Sequence, residues 1–409
     1  MPKYRTPGVD VGQPGSRVRS IGGVSTSTVG FIGPCHGGPV GSKPELLHSQ
    51  SDFERIYGPG NPLHFSDTAG PVHNYLSLAV RAFFQEGGTG CYVARVVNGI
   101  AGPGGDGGQP RPADYEGTAT LVDGVMTKTG LRSFEELDDI AIVAAPGSSF
   151  ACDSVGGSCH AEAIAQALIS HCEKMRYRTA VLDSVHGHDT GAVQAYRGRF
   201  DSQYAALYYP WIVTADPLSG NSIEVPPSGA VCGIYARVDR ERGVHKAPAN
   251  EVIRSATGLS VDIDRRQQAI LNPLGINCLR YFGRRGYRIW GARTVSSDPE
   301  WKYINVRRHV AYLQHSIERG TRYAALENNG AGLWAAIRQS IGEFLDNEWR
   351  RGRFAGARPE EAFFVRCDRS TMTQHDIDTG RLVCEVGVAP VKPAEFVMFR
   401  IGQKTALPV

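Results

Sequence analysis

The chain has 409 residues, of which 41% are hydrophobic and 21% charged, as is typical of a globular protein with two or three domains. Its formal net charge is only +3, which argues against a dedicated nucleic-acid binder because such proteins usually carry a strong basic excess. No apolar run is long enough to cross a bilayer, so the sequence predicts no membrane-spanning helix.

Residues 1–21 combine many prolines and glycines with few apolar side chains, which predicts an extended arm rather than part of a core. This segment lacks the apolar stretch of a secretory signal, so no signal peptide is expected. The nine cysteines are odd in number and follow no disulfide-framework spacing. We therefore expect free, buried thiols in a reducing compartment.

Residues 22–98 have the pattern of a small folded segment. The predicted elements are a buried strand at Val29–Gly33, a helix that starts with a capping box at Ser51–Glu54, an amphipathic helix at 72–86 and a strand at Cys91–Val97. The Gly/Pro-rich stretch that follows predicts a loop and connecting segment over residues 99–134. We therefore expect a domain boundary near residue 99.

Residues 135–292 alternate between strands and helices, which predicts a middle α/β domain. The predicted order is a strand at Asp139–Ala145, a helix at 160–174, a strand at Thr179–Val185, a helix at 190–205 and a strand at Ala206–Trp211. Near-continuous apolar strands of this kind belong to sheets that are covered on both faces. Two strand–helix–strand units in succession predict right-handed crossovers and a parallel sheet.

Residues 293–394 contain two predicted helices followed by strands. One helix is capped by Asn305 and ends at Gly320, and the other covers about 331–350. The predicted strands are Phe363–Cys367, Leu382–Val388 and Glu395–Ile401, the last within a C-terminal arm at 395–409. Sequential strands joined by short loops predict an antiparallel sheet packed on the two helices.

Two groups of side chains suggest metal or catalytic sites but fail on geometry. The pairs Cys159–His160 and His171–Cys172 cannot share one zinc ion, because eleven residues of one helix would separate the two histidines by about 16 Å. The run Asp183–Asp189 offers Ser, His and Asp after a strand, but there is no nucleophile elbow at Ser184. We therefore predict helix packing for the first group and a polar loop for the second.

Two loops match ligand-binding motifs only in part. In Gly37–Lys43 the hydroxyl residue precedes the lysine, the reverse of a phosphate loop, and Pro39 removes a backbone amide. The run Asp376–Gly380 lacks the further oxygen ligands of a calcium loop and is predicted to be a turn. The sequence therefore predicts no catalytic residue, no metal site and no cofactor.

Short motifs along nearly the whole chain are similar to those of the contractile tail sheath family. In order they are Thr6–Val9, Gly22–Thr28 leading into Phe31–Gly33, Asp52–Gly58, Pro227–Gly229 with Ala236–Asp239, Gly243–Asn250, Asn272–Asn277, Trp290–Thr294, Tyr303–Arg308, Asp376–Arg381 and Pro393–Phe396. Each motif is short, but their order along the chain is specific. The chain therefore resembles the sheath subunits of phage tails and phage-like injection particles.

The resemblance implies a tail-sheath fold of mixed α/β and α+β class. An inner domain would be built from the N- and C-terminal segments, the middle α/β domain would face outward, and both arms would be extended. The implied function is a structural subunit, not an enzyme, that polymerises helically around an inner tube and contracts to drive the tube through a target envelope. The implied partners are copies of the same chain in stacked hexameric rings, the inner tube protein, and baseplate and tail-terminator or cap proteins. No nucleic acid and no membrane insertion are expected. Assembly is expected in the cytoplasm, into a phage-tail-like particle that is free, released or membrane-docked.

Other functions remain open at this point. The compact length and the C-terminal third are more similar to the injection-particle branch, and the sheath of a true phage tail, a virion component, is the alternative. An α/β hydrolase built on the middle domain would need the nucleophile elbow that is missing. A monomeric binding module is a further alternative, but such a protein would not need the two predicted arms.

The resemblance also suggests which residues make contacts between proteins. The arms are expected to add strands to neighbouring subunits through Val9, Val11, Val18 and Ile21 in the first arm and Phe396, Val397, Met398, Phe399 and Ile401 in the last. A small polar contact with the tube is expected from the excursion Thr371–Arg381, through Gln374, Asp376, Asp378 and Arg381, or from the exposed face of the 331–350 helix.

Overall fold

A computed structural model describes residues 19–68, 70–99, 106–122, 124–150 and 160–395. The chain divides into two compact units. The larger unit contains Ser25–Tyr312 and, near the end of the described chain, residues 392–395; the smaller unit contains residues 19–24 and Leu313–Val391. None of the helices within the described ranges is both long and apolar enough to cross a membrane.

The larger unit contains most of the helices and strands. In chain order they are β1 (Thr28–Gly33), β2 (Leu46–Leu47), α1 (Gln50–Tyr57), α2 (Tyr75–Glu86), β3 (Cys91–Arg95), α3 (Pro112–Glu116), β4 (Ala119–Val122), β5 (Val125–Lys128), β6 (Ile140–Ala144), α4 (Ala161–Met175), β7 (Thr179–Asp183), α5 (Thr190–Arg197), β8 (Ala205–Tyr209), β9 (Ile212–Ala215), β10 (Ser222–Val225), α6 (Ser228–Arg242), β11 (Gly258–Leu259), α7 (Arg265–Leu271), β12 (Ile276–Tyr281) and β13 (Tyr287–Trp290). The helix α8 (Ile304–Thr321) begins in the larger unit and ends in the smaller one, which continues with α9 (Ala331–Arg350), α10 (Pro359–Ala362), β14 (Phe363–Arg366), α11 (Gln374–Asp378) and β15 (Glu385–Val388).

An eight-stranded sheet forms the centre of the larger unit, in the order β13-β12-β8-β7-β6-β1-β3-β2. The six strands from β12 to β3 run parallel, and β13 and β2 pair antiparallel at the two edges. The parallel arrangement predicted for β6, β7 and β8 is therefore confirmed.

Successive residues of the central strands pack into two separate apolar clusters, one on each face of the sheet. In β7, Val181 belongs to the cluster formed with α2 and α6, whereas Leu182 belongs to the cluster formed with α4. The exposed fractions of these two side chains are 1% and 2%. Because helices cover both faces, every position of such a strand favours an apolar residue, which explains the continuous apolar runs in the sequence.

Helices α2 and α6 lie close together because α6 presents glycines to α2. A Cβ atom at Gly229 would lie 2.5 Å from the Cα of Ala79, and one at Gly233 would lie 2.5 Å from the carbonyl oxygen of Phe83. One turn beyond Gly233, Arg237 donates a hydrogen bond to the carbonyl oxygen of the fully buried Glu86, and the two side chains form an ion pair. Larger residues at the two glycines would force the helices apart.

The structure departs from the domain division that the sequence suggested. Strand β1, from the predicted 22–98 segment, pairs with β3 on one side and with β6, from the predicted middle domain, on the other. Residues on both sides of the predicted boundary near 99 thus share one sheet. The sequence did not predict this arrangement, because the order of strands in a sheet depends on crossover connections that a local pattern does not show. After residue 24 the smaller unit resumes at Leu313, within α8, whereas the C-terminal domain predicted from the sequence starts at residue 293.

Some predicted helix ends also need correction. Helix α1 is capped by Ser49, whose extended backbone lets its hydroxyl oxygen accept a hydrogen bond from the Asp52 amide, so the predicted box at Ser51–Glu54 does not form the cap. Helix α2 begins after Asn74, which caps it, and α5 stops at Arg197 instead of continuing to residue 205.

In the smaller unit, a two-stranded sheet accompanies the long helix α9. Strands β14 and β15 pair antiparallel, as predicted, from Phe363 opposite Val388 to Arg366 opposite Glu385. The third predicted strand, apart from Glu395, lies outside the described residues. Helix α9 buries an apolar stripe that includes Ile337, Ile341, Phe344 and Leu345.

Candidate functional site

The histidine and cysteine that suggested a metal site on α4 are packing residues. The Nε2 atom of His171 lies 2.7 Å from Nη1 of Arg178. Burial, together with the Arg178 charge, lowers the pKa of His171 to about 3, so the neutral ring accepts this hydrogen bond. Burial raises the pKa of the neighbouring Cys172 to about 12. Within the described ranges no group of three or more His, Cys, Asp or Glu residues could hold a metal ion, and Cys159 lies outside those ranges.

The polar residues of Asp183–Asp189 have different surroundings. The Asp183 carboxylate accepts hydrogen bonds from the amide and the hydroxyl of Ser228, at 2.8 and 2.7 Å, and burial raises its pKa to about 7. Ser184 is fully buried, and the ring of His186 pairs with a glutamate on β10 at 2.8 Å. Because these groups do not converge on one point, the run is a polar strand-end loop, as predicted, and not a catalytic triad.

The Gly37–Lys43 loop has the wrong polarity for a phosphate. The guanidinium of Arg95 donates hydrogen bonds to the carbonyl oxygens of Cys35, His36 and Gly38. Phosphate binds where backbone amides converge, whereas here carbonyl oxygens converge on a cation. The geometry therefore agrees with the sequence-based rejection of a phosphate loop.

Glu395, the last described residue, is fixed in the larger unit by several basic and hydroxyl groups. The Nε and Nη2 atoms of Arg293 donate to its two carboxylate oxygens at 2.8 and 2.6 Å. The Tyr303 hydroxyl donates to it at 3.1 Å, and Nζ of Lys302 lies 3.6 Å away. Burial alone would raise the pKa of Glu395, but the hydrogen bonds and charge of Arg293 hold it below its ordinary value. The start of the predicted C-terminal arm is thus anchored by an ionic contact.

Arg293, in the motif Trp290–Thr294, is itself positioned by the motif Asn272–Asn277. Its amide donates to Oδ1 of Asn277 at 2.7 Å, and its Nη1 donates to the carbonyl oxygen of Asn272 at 2.9 Å. A Cβ atom at Gly291 would lie 2.8 Å from Oδ1 of Asn277, so a larger residue would push the two motifs apart. The motifs therefore meet to form the seat of Glu395. The sequence showed the motifs, but it gave no signal for this contact between residues so far apart in the chain.

The start of the described chain is fixed in the smaller unit by an apolar contact. Ile21 is 7% exposed, and a Cβ atom at Gly320 of α8 would lie 2.7 Å from its Cγ1 atom. The amide of Val24 donates to the hydroxyl of Ser316 at 3.2 Å, and the guanidinium of Arg19 lies 4.8 Å from the centre of the Tyr323 ring. Ile21 was expected to contact a neighbouring subunit. Because the Ile21 side chain is buried within its own chain, only residues before Ile21 could contact a neighbouring subunit.

The four residues predicted to contact a tube lie together on one small surface. Gln374, Asp376 and Asp378 belong to the short helix α11, and Arg381 follows it. Asp376 is occupied locally: it accepts hydrogen bonds from the amide and hydroxyl of Thr373, which lower its pKa, and it lies 3.4 Å from Arg381. Gln374, Asp378 and Arg381 are exposed. The surface is therefore polar and partly stabilised by its own contacts.

The other predicted arm contacts lie outside the described residues. They are Val9, Val11 and Val18 before the described chain and Phe396, Val397, Met398, Phe399 and Ile401 after it. For both arms, the structure shows the attachment of the segment to the chain and not its far end.

Two family models match adjoining parts of the chain. The phage tail sheath protein central domain matches residues 113–295, and the phage tail sheath C-terminal domain matches residues 296–404. The chain is 25% identical over 366 residues to a prophage major tail sheath protein of Pseudomonas aeruginosa (strain UCBPP-PA14), which covers 88% of this chain and 85% of that protein. It is also 25% identical over 244 residues to the tail sheath protein of Escherichia phage P2, with 58% of this chain and 59% of the relative covered.

Solved structures resemble the chain over almost its entire length. The helical sheath of the anti-feeding prophage in the contracted state matches with a TM-score of 0.74 and 28% identity, covering 98% of this chain and 100% of that chain. The sheath complex of an extracellular contractile injection system, PVC, in the contracted state matches with a TM-score of 0.74 and 26% identity, covering 99% of each chain. These matches agree with the mixed α/β fold described above and with the motifs found in the sequence. The chain belongs to the phage tail sheath protein family.

Proposed function

We propose that this protein is the structural subunit of a contractile sheath in a phage-tail-like injection particle. Copies of the chain polymerise helically around an inner tube, and contraction of the polymer drives the tube through a target envelope. The observation that carries the proposal is the near-complete match, at 28% identity, to the contracted helical sheath of the anti-feeding prophage. The sheath of a true phage tail is the second candidate, supported by the similarity to the sheath of phage P2.

The physical basis of contraction is a stored free-energy difference between two polymer states. A sheath assembled in the extended state lies above the contracted state in free energy, and a kinetic barrier, not nucleotide hydrolysis, sets the time of release. The failed geometry of each candidate site supports a protein without a catalytic centre or a metal. We propose assembly in the cytoplasm, with the tube protein, the baseplate and a cap protein as the partners besides other copies of the chain.

The two arms are proposed to join neighbouring subunits by adding strands to their sheets. An exposed strand with unpaired amides is an aggregation hazard, and pairing with a neighbour satisfies those amides. Each backbone hydrogen bond contributes about 0.5–1.5 kcal/mol net, so one added strand contributes several kcal/mol. Fixed attachments at Ile21 and Glu395 support this role, because a pull on an arm must reach the folded units through them.

Electron microscopy of the purified full-length chain, with and without the tube protein, tests the proposal. We expect helical tubes with stacked rings. Monodisperse particles under every assembly condition, including the presence of the tube protein, would reject a sheath.

Deletion of residues 1–18 or of residues 396–409 tests the arms separately. Both deletions keep the anchors at Ile21 and Glu395, so we expect a folded subunit with an unchanged circular dichroism spectrum that no longer forms sheaths. Normal sheaths from either deletion would show that the deleted arm does not join subunits.

A further inference from the structure

We propose that Cys367 and Cys384 form a disulfide when the protein meets a small-molecule disulfide such as oxidised glutathione, and that this bond closes the connection Asp368–Val383. The sheath function needs no such chemistry, so this inference goes beyond it. It also refines the expectation of free thiols, since one cysteine pair is arranged for oxidation.

The strand register brings the two cysteines together. Strands β14 and β15 pair antiparallel, with Arg366 opposite Glu385 as the last pair of the ladder. One further step in the same register places Cys367 directly opposite Cys384. Both are free thiols in the structure.

The position in the ladder has the spacing that a disulfide requires. Opposing pairs alternate between hydrogen-bonded and non-hydrogen-bonded types along an antiparallel ladder. The amide of Ala389 donates to the carbonyl oxygen of Ala362 at 2.8 Å, which marks that pair as hydrogen-bonded. By alternation, Cys367 and Cys384 form a non-hydrogen-bonded pair, in which Cα atoms lie about 4.5 Å apart and the side chains are close. Disulfides join Cα atoms that are about 4.4–6.8 Å apart.

The surroundings of the two thiols give them different roles. Cys367 is fully buried, whereas Cys384 is half-buried and therefore within reach of a small oxidant. The thiols share a hydrogen bond, which lowers the pKa of Cys367 and raises that of Cys384. Arg338 of α9, whose guanidinium donates to the carbonyl oxygen of Cys367 at 3.2 Å, adds a positive charge that favours a thiolate.

The reaction is an ordinary two-step thiol–disulfide exchange. Cys367, whose pKa is lowered, first loses its proton to solvent and then takes the shared proton from Cys384. Cys384 is thereby a thiolate, which attacks one sulfur of oxidised glutathione and releases one glutathione thiolate. Cys367 then loses its proton to solvent and attacks the Cys384 sulfur of the mixed disulfide, releasing the second glutathione thiolate. The two thiols are oxidised to one disulfide, and one oxidised glutathione is reduced to two glutathione molecules.

The remaining cysteines in the described ranges are poor competitors for the oxidant. Each is at most 2% exposed, and burial raises its thiol pKa; they are Cys35, Cys91, Cys172, Cys232 and Cys278. A thiol that oxidised glutathione cannot reach reacts slowly, whereas the half-buried Cys384 is within its reach and can pass its proton to Cys367. Among the cysteines that the structure describes, oxidation is therefore expected to be selective for the pair at the end of the ladder.

The bond would hold the two ends of the connection that carries Gln374, Asp376, Asp378 and Arg381. A disulfide restricts the conformations open to the chain between its cysteines. Oxidation would thus limit opening of α11 and its flanking turns without changing the charges that the loop presents. Both states of the protein would keep the same polar surface.

The test uses the full-length wild-type protein treated with oxidised glutathione and then mapped by mass spectrometry of non-reduced peptides. We expect a peptide that links Cys367 to Cys384, with a mass about 2 Da below that of the two thiols. We also expect several-fold slower trypsin cleavage after Arg369 and Arg381, reversed by dithiothreitol. In Cys384→Ser the linked peptide should be absent and the cleavage rate should not respond to oxidised glutathione.

Three outcomes would overturn the proposal. They are full alkylation of both cysteines in the folded, oxidised wild-type protein, a stable glutathione adduct on Cys384 that does not proceed to the internal bond, and a linked peptide that joins other cysteines at similar yield. Because the main readout is on the wild-type chain, poor folding of the variant does not affect it. Failure of sheath assembly would leave this result unchanged, so the two proposals are tested separately.

Discussion

The two terminal segments are attached to the chain by different kinds of contact. The N-terminal attachment is apolar: Ile21 packs against Gly320, where the missing side chain makes room for it. The C-terminal attachment is ionic: Glu395 binds Arg293 through two hydrogen bonds and has Lys302 nearby. The comparison shows that one chain can attach its two terminal segments by contacts that respond to different conditions.

The difference follows from what each contact needs. An apolar contact depends on shape and on the area removed from water, so pH and salt change it little. A partly buried ion pair depends on both charges being present, and removal of one partner leaves the other without compensation. The ionic attachment should therefore be the stronger of the two near neutral pH and the only one that acid releases.

The largest effect is expected from Glu395→Ala. This change leaves the Arg293 guanidinium in a largely buried seat without its carboxylate, so we expect a loss of about 3 kcal/mol in the free energy of unfolding. Urea unfolding of the full chain measures this loss. Glu300→Ala, which removes an exposed carboxylate in the same unit, should stay within about 0.5 kcal/mol of wild type. Similar losses in the two variants would contradict a special role for the Glu395 seat.

The pH dependence of the same contact gives the second largest effect. The folded pKa of Glu395 is lowered, so its contribution is fully present above the unfolded value of about 4.3 and is lost as pH falls through the folded pKa. The difference in unfolding free energy between wild type and Glu395→Gln should therefore be largest at pH 7 and should shrink as the pH falls below about 4.3 and through the folded pKa. A difference that does not change over this range would show that the charge does not matter.

A smaller effect is expected at the apolar attachment. In Gly320→Ala the new Cβ atom would lie 2.7 Å from Ile21, whose β-branched side chain cannot rotate away easily, so we expect a net loss of about 1 kcal/mol. Gly342→Ala is the matched control, because no atom outside the local backbone of α9 lies within 4 Å of its new Cβ, and the helix should gain about 0.5–1 kcal/mol. Urea unfolding should show opposite signs for the two variants and no change with pH in either difference. Equal stabilisation by both would mean that Ile21 does not depend on the space at Gly320.

The smallest effect on stability is expected in the loop proposed to contact the tube. Asp378→Lys reverses an exposed charge, so the subunit should unfold as wild type does while sheaths retain less tube in a sedimentation assay. Asp376→Lys also removes the acceptor for Thr373, so it should disturb α11 itself and is a poorer probe of contact. Unchanged tube retention in Asp378→Lys, with sheaths intact, would reject this loop as the contact.

The sequence predicted the parts of the fold that depend on local pattern. The apolar runs of β6, β7 and β8 identified a parallel sheet, because helices on both faces leave a clear signature in each strand. The pairing of β1 with β6 could not be predicted, since it joins strands separated by a long connection. The seat of Glu395 was missed for the same reason: Arg293 and Glu395 each look like surface charges until the fold brings them together. The register of Cys367 and Cys384 also depends on the pairing of two strands and not on either strand alone.

The placement of the attachments has a mechanical consequence. The chain leaves the larger unit within α8 and returns to it near Lys392, so Glu395 is tied to Arg293 after the smaller unit is complete. A pull applied beyond Glu395 is therefore delivered to the larger unit through the carboxylate and guanidinium, and it bypasses the weak two-stranded sheet. A pull applied before Ile21 is delivered instead to α8 at Gly320. Tension at the two ends of the chain thus enters two different folded units, and neither pathway has to stretch β14 away from β15.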